Sequence, residues 1–465
     1  MVGGDVGLIG LGVMGQNLAR NIQNKGYTVA VFNRTGEKTR EFVGKYPGFL
    51  SEYSLEKFVS QLNQPRQIFL MVTAGTPVDA TLTSLAGLLS SGDVVIDGGN
   101  SFFQDTERRC KDMMSHGIHF LGVGVSGGEE GALKGPCIMV GGSREGYDLV
   151  REMLARVAAR VDDGSCCEYL GPRGAGHYVK MVHNGIEYAI IQIMAEAYDL
   201  LTRGAGLDLK QTRNVFKEWN EGELSSFLME IAVEVLEKVD PTTKRSLISL
   251  ILDRAQQKGT GKWTSQNAMD LGIPTPTIDA AVSARNLSGL KEERMKVAEI
   301  FKPLRKPHQV SVPGNFTERL EGAVRASIIM SYAQGFHLMR AASKEYEYLV
   351  PFADVARIWK GGCIIRAKML NSIQHAFETN SKLPNLMMDQ GFAKLLAGLE
   401  NRWRDSVRTA KEAGLPVPAI GASLDYYDSY RTERLPANFI QILRDRFGAH
   451  GYERTDKAGH FHSQY

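Results

Sequence analysis

Cysteine is scarce in this chain: Cys110, Cys137, Cys166, Cys167 and Cys363 are the five among 465 residues. An odd, scattered set of thiols argues against a disulfide-built secreted domain, has no metal-ligand spacing, and suits reduced thiols in a cytoplasmic setting. Long apolar runs are missing as well. No stretch approaches about 18 uninterrupted apolar residues, so no membrane span is expected. Nor is there an excess of one charge, since 55 Lys and Arg face 52 Asp and Glu for a net +3. That balance gives no reason to expect nucleic acid or an anionic membrane as partner, and any anion site must be local. The opening MVGGDVGLIGLGVMG has no cationic lead and carries Asp5. It reads as a strand running into a glycine turn rather than as a signal peptide.

What is present is enough chain for two or more domains, with 43% hydrophobic residues to fill their cores. The runs DVGLIG, TVAVF, QIFLMV, DVVID, IHFLGV and CIMV alternate with segments of helical period up to about residue 174. Continuous apolar strands separated by helices predict an α/β domain of Rossmann type, with a mainly parallel sheet covered on both faces, over residues 1–174. From 175 to 436 the period is helical almost throughout, which predicts a large all-α domain. MAEAYDLL with Trp219, and YAQGFHLM with Trp359, echo each other at a separation of about 140 residues and suggest an internal duplication. Residues 437–465 form a polar, basic tail, yet Phe447, Tyr452 and Phe461 are spaced through it.

The glycine turn Gly10-Leu11-Gly12-Val13-Met14-Gly15 follows the first strand and opens a helix. Glycines there allow a tight turn and close approach of backbone to a pyrophosphate, whose charge the helix N-terminus favours. The second strand ends in Asn33, Arg34 and Thr35 instead of the Asp or Glu that would bind a ribose 2′-hydroxyl. A guanidinium offers a charged fork to a 2′-phosphate, so the expected coenzyme is NADP. Val72, Thr73 and Ala74, then Asn100, then Ser126, Gly127 and Gly128 follow later strands and belong on the same ligand-binding edge.

The stretch VKMVHNGIEYAI carries a second signal. Wound as a helix, it sets Lys180, His183, Asn184, Glu187 and Tyr188 within an arc of roughly 140°. The opposite arc holds Met181, Val182, Gly185, Ile186 and Ala189, so the polar stripe lies on a helix that is apolar where a surface helix is charged. Five reactive side chains there point to a catalytic surface. Gly185 lies off the stripe, which suggests close helix packing.

Across nearly its whole length the chain resembles the decarboxylating 6-phosphogluconate dehydrogenase family. The resemblance rests on GLGVMG, NRT, DGGNS, GVSGGEEGA, GAGHYVKMVHNGIEYA, ILDRAQQKGTGKWT, AVSARNLS, WKGGCIIRA and RDRFGAHGYER. Gln256 departs from the family's small residue at that position. The resemblance implies oxidative decarboxylation of 6-phosphogluconate to ribulose 5-phosphate with NADP, in the oxidative pentose phosphate pathway, without a metal. It implies Lys180 as the base and Glu187 as the acid. His183, Asn184 and Tyr188 would bind substrate with Asn100, Ser126, Gly127 and Gly128. Lys258, Thr260 and Arg285 would bind at the phosphate. Arg444 and His450 would reach the neighbouring subunit's site, implying a homodimer that exchanges tails. A non-decarboxylating β-hydroxyacid dehydrogenase is the competing expectation; it shares the glycine turn and the SGG loop but has no need of Glu187, Lys258, Arg285 or the tail.

Overall fold

The computed structural model describes residues 3–256, 259–304 and 314–465. Its strands, in chain order, are β1 (Val6–Ile9), β2 (Val29–Phe32), β3 (Leu50–Ser51), β4 (Gln67–Leu70), β5 (Val94–Asp97), β6 (His119–Ser126), β7 (Cys137–Gly142), β8 (Arg160–Val161), β9 (Gly164–Ser165), β10 (Cys167–Gly171), β11 (Tyr452–Glu453) and β12 (His460–Phe461). Eight of them make one sheet in the order β10-β7-β6-β5-β4-β1-β2-β3. Pairing is parallel throughout except between β6 and β7. The six expected strands are all there. β3 and β10 are additions: one is too short to leave a pattern, and the other, CEYLG, mixes polar and apolar residues.

The central strands are almost wholly apolar, as in VGLI and VAVF, because both faces are covered. Leu8, Val31, Ile96, Leu121 and Val140 enter one core, while Ile9, Ala30, Leu70 and Val95 enter the other. The parallel arrangement brings the carboxyl ends of β1, β2, β4, β5 and β6 to one edge.

The helical part begins with a 25-residue helix, Ala175–Asp199. It packs against a second long helix, Phe316–Glu345, where Gly335 lets Ile186 approach its backbone. MAEAYDLL ends the first of these helices and runs into the turn Leu200–Gly204, YAQGFHLM lies within the second, and Trp219 and Trp359 are both buried.

The first turns of Ala175–Asp199 also lie directly on the sheet. A Cβ at Gly124 of β6 would stand 2.4 Å from the Lys180 Cβ, and one at Gly176 would stand 2.4 Å from the Gly122 carbonyl oxygen. Phe103, Cys137, Met139 and Leu170 on the sheet side share one continuous core with the helical part. Packing therefore crosses the chain position where the two patterns change.

In the tail, the helix Ala437–Gly448 precedes an antiparallel β11–β12 pair in which Tyr452 faces Phe461. Two of the three tail aromatics thus serve the tail's own fold. Phe447 stays 74% exposed, alongside Phe439 at 64% on the same helix.

Candidate active site

The sheet edge is built for a phosphate-bearing ligand. Gly10 has φ +104°, and a Cβ there would strike the Met71 carbonyl oxygen at 2.5 Å. A Cβ at Gly15 would strike the Gly10 carbonyl oxygen at 1.9 Å, so the helix Val13–Asn24 can start so close to β1 only with glycine at this place. Gly12 faces open space, with nothing within 4 Å of its Cβ position. That pattern leaves room for a ligand against the helix N-terminus. Leu11 and Met14 line the same turn, and Val13 is exposed.

Asn33 holds this turn from the next strand: its Oδ1 accepts the Leu11 N–H at 3.0 Å, and its Nδ2 donates to the Thr35 carbonyl at 3.1 Å. Its amide therefore braces the protein rather than standing free. Arg34 is exposed and makes no hydrogen bond or ion pair among the described residues, which leaves its fork available. Val72, Thr73 and Ala74 follow β4, and Asn100 follows β5 as an exposed residue on the same edge.

A buried network beneath these loops gave no sequence signal. Arg109 donates Nε to Asp79 at 2.8 Å, Nη2 to the Gly75 carbonyl at 3.0 Å and Nη1 to Ser101 at 3.2 Å. Ser101 in turn donates to Asp97 at 2.6 Å, and the Gly99 N–H donates to the same carboxylate at 3.0 Å. One buried guanidinium thus ties the loop after β4 to the loop that carries Asn100.

The polar stripe lies where the sheet edge meets the helical part. Lys180 Nζ donates to Asn184 Oδ1 at 2.8 Å and to Ser126 Oγ at 3.2 Å. Asn184 Oδ1 also accepts from His183 Nδ1 at 3.0 Å, while Asn184 Nδ2 donates to Thr260 Oγ1 at 3.0 Å. An amide oxygen can only accept, so the His183 proton sits on Nδ1 and Nε2 accepts from Ser126 Oγ, 3.3 Å away. Burial, reinforced by Lys180, holds the His183 imidazole well below its ordinary range, in the neutral form this network requires.

Burial also pushes the Lys180 ammonium down, against the opposing pull of Glu187 and the nearby Cys363 and Cys137 thiols. Glu187 moves the other way. Burial raises its carboxyl, and Lys180 and Arg285 only partly offset that effect. The neutral His183 ring stands with Nδ1 4.0 Å from Glu187 Oε2, too far for a hydrogen bond. The two groups are displaced toward each other's protonation range, the condition under which a lysine can take a proton and a glutamic acid can give one.

Beyond Glu187 the Arg285 guanidinium lies 3.4 Å above the Tyr188 ring. Gly261 packs against the same ring, since a Cβ there would stand 2.4 Å from it. Thr260 opens the helix Thr260–Asp270 after Gly259 at φ +98°. Lys258 lies outside the described residues. Ser126 ends β6; Gly127 and Gly128 follow at φ +114° and +64°. A Cβ at Gly127 would meet the Gly362 carbonyl at 2.5 Å, which seats the SGG turn on the WKGGC loop.

Arg444 and His450 are not brought to this cluster within the chain. Arg444 Nη1 donates to Gln441 Oε1 at 3.1 Å on its own helix, and His450 packs edge-on to Phe447. Gly185 has the packing role its position suggested, because a Cβ there would lie 2.6 Å from Thr264 Cγ2.

Comparison with known proteins agrees with this architecture. Residues 5–171 match the NAD binding domain of 6-phosphogluconate dehydrogenase, and residues 176–465 match the 6-phosphogluconate dehydrogenase C-terminal domain. The chain is 49% identical to the NADP(+)-dependent, decarboxylating 6-phosphogluconate dehydrogenase of Bacillus subtilis over 99% of its own length and 98% of that protein. It is 50% identical to the decarboxylating enzyme of Synechococcus elongatus, with the same coverage. Its fold superposes on Plasmodium falciparum 6-phosphogluconate dehydrogenase with a TM-score of 0.96 at 39% identity, covering 99% of this chain and 100% of that one. That protein is described in its apo form, with its cofactor NADP+ and with its substrate 6-phosphogluconate. The two domain matches, the full-length identity and the shared fold together place this chain in the 6-phosphogluconate dehydrogenase family.

Proposed function

We propose that the chain oxidises and decarboxylates 6-phosphogluconate to ribulose 5-phosphate and CO₂, reducing NADP. The observation that carries this reading is the buried Lys180–Asn184–Ser126 network at the coenzyme edge, with Glu187 two turns further along the same helix face. About 10 Å of helix separates the two Cα atoms, within the reach of one extended sugar acid.

The Gly10–Gly15 turn and Arg34 would hold NADP, which would supply the hydride acceptor for C3. The open space at Gly12 and the free Arg34 fork suit its pyrophosphate and 2′-phosphate. Leu11, Val13, Met14, Asn33, Thr35, Val72, Thr73, Ala74 and Asn100 complete the coenzyme edge. Lys180, whose ammonium burial pushes down, takes the C3 hydroxyl proton while Ser126 and Asn184 aim its amine. Once protonated, the same ammonium stabilises the oxygen that becomes enediolate when CO₂ leaves. Glu187, whose carboxyl burial raises, delivers the proton to C1. His183 and Asn184 bind the substrate's carboxylate and hydroxyls, with Asn100, Ser126, Gly127 and Gly128. Tyr188, Lys258, Thr260 and Arg285 take the phosphate end.

Arg444 and His450 of a second copy complete the phosphate end in a homodimer. The exposed apolar face of Ala437–Gly448, including Phe439 and Phe447, supports that exchange. The same reading divides the chain into a coenzyme domain 1–174, a substrate and dimerisation domain 175–436 and the exchanged tail 437–465. It includes a cytoplasmic location, with neither nucleic acid nor membrane as partner; no helix among the described residues is long and apolar enough to cross a membrane.

The test is NADP reduction with 6-phosphogluconate, with CO₂ measured alongside. NADPH and CO₂ should appear in equal amounts. NADPH without CO₂, or activity confined to a non-phosphorylated hydroxy acid, would favour the non-decarboxylating reaction.

A further inference from the structure

Asp445 is fully buried in a segment whose neighbours Arg444 and Arg446 are exposed. A carboxylate buried in so thin a part of the chain needs a partner for each lone pair. It has them. Oδ1 accepts the Gly451 N–H at 3.0 Å and His462 Nδ1 at 2.8 Å; Oδ2 accepts the Ser463 N–H and the Tyr465 hydroxyl, both at 3.0 Å. Burial works against the charge, but these donors outweigh it and hold the carboxyl down to about 2.

All four donors come from residues 451–465, so the contacts fold the end of the tail back onto the helix Ala437–Gly448. The turn they close carries His450, between Ala449 at φ +50° and Gly451 at φ +70°. A second link runs alongside: Gln441 Oε1 accepts from Arg444 Nη1 at 3.1 Å, and Gln441 Nε2 donates to the Gly451 carbonyl at 2.5 Å. The Tyr452 hydroxyl and Ser463 Oγ meet at 2.6 Å across the hairpin. Arg444 and His450 therefore hang from one small framework whose centre is Asp445.

We infer that Asp445 is a positioning residue, which locks residues 449–465 onto the tail helix so that Arg444 and His450 arrive at the substrate phosphate of a second copy as a preformed pair. The inference rests on the tail reading proposed above. Its physical basis is preorganisation: two cationic or donor groups fixed before binding lose less freedom when they meet the anion.

The test uses the full-length enzyme and compares Asp445→Asn, Arg444→Ala and the double variant. Asp445→Asn should raise KM for 6-phosphogluconate about tenfold, the effect of losing one charge-assisted contact, and leave KM for NADP within about twofold. In the double variant the further rise in KM over Arg444→Ala should be smaller than the rise Asp445→Asn causes alone, since the part of its effect that passes through Arg444 is already lost and only the part through His450 remains. Tyr465→Phe and His462→Ala each remove a single donor. They should raise the same KM about two- to threefold, and they decide the matter if Asp445→Asn does not fold. An unchanged KM in these variants while Arg444→Ala raises it, or fully multiplicative effects in the double variant, would overturn the inference. An unchanged KM in Arg444→Ala would overturn the tail reading itself.

Discussion

Lys180 and Asn184 stand one turn apart on the same helix with Nζ 2.8 Å from Oδ1, and that oxygen also receives His183 Nδ1. The neutral amide orients the lysine without fixing its proton. Replacing it by a carboxylate in Asn184→Asp favours the charged ammonium and raises the lysine pKa. A base must be deprotonated to act, so the acidic limb of the kcat/KM profile should move to higher pH by about one unit or more. An unmoved limb in pH-rate measurements would mean that Lys180 is not the group titrating there.

Glu187 is raised by burial, so its acid form persists to higher pH than that of an ordinary carboxyl and is lost on the alkaline side. Glu187→Gln keeps the shape but has no proton to give. Substrate binding should stay within about threefold while kcat falls on the order of 10²- to 10³-fold. The alkaline limb assigned to Glu187 should also disappear. Normal turnover in this variant would remove Glu187 from the chemistry.

Arg34 stands exposed in the NRT turn with no hydrogen bond or ion pair among the described residues, in contrast to Asn33, whose amide braces the turn. Arg34→Ala should raise KM for NADP by about 10- to 100-fold and change KM for NAD little. Equal losses for the two coenzymes in steady-state kinetics would refute recognition of the 2′-phosphate.

Glu196 joins the first long helix to the start of the helix Pro418–Tyr430 by accepting the Ala419 and Ile420 N–H groups at 2.8 and 2.9 Å. Burial raises its carboxyl to about 7. The folded state therefore holds this proton more tightly than the unfolded chain. The stability linked to it is full below the unfolded pKa of about 4.5 and is lost as pH rises through about 7, by roughly 3 kcal/mol. Glu196→Gln should flatten the fall in Tm between pH 5 and 8, at a cost of about 1–2 kcal/mol from one impaired cap. A slope identical to that of the parent would place the titration elsewhere.

Gly185→Ala should destabilise by about 1–3 kcal/mol through overpacking against Thr264. Thr264→Ala removes the two nearest atoms and should recover about half of that loss when combined with it. Thermal melts of the three variants measure both effects, and a stable Gly185→Ala would mean that the two helices can move apart freely.

The sheet was legible because a parallel strand covered on both faces is apolar at every residue, as in VGLI and VAVF. A two-residue strand such as β3 or β11 carries no such run. The reactive stripe was legible because Lys180, His183 and Asn184 occupy spacings that a buried helix fills with leucine. Asp97 and Arg109 were not, since twelve residues separate them and only the closed fold brings Asp79 and Gly75 to the same guanidinium. Asn33 carried a motif signal, and the structure gives it bracing contacts with Leu11 and Thr35. Asp445 was hidden for a further reason: it sits between two arginines in a run that reads as solvated, and its donors lie up to twenty residues away.

One helix forms a wall of the coenzyme sheet at Lys180 and a pillar of the helical core at Ile186, so it acts as a ruler between Lys180 and Glu187. Its pitch sets the interval between the group proposed to accept a proton and the group proposed to donate one. A hinge between the two halves would have to bend that ruler between its two marks. The interval between Lys180 and Glu187 is thus set within one helix and does not depend on how the loops at the sheet edge or the tail are arranged.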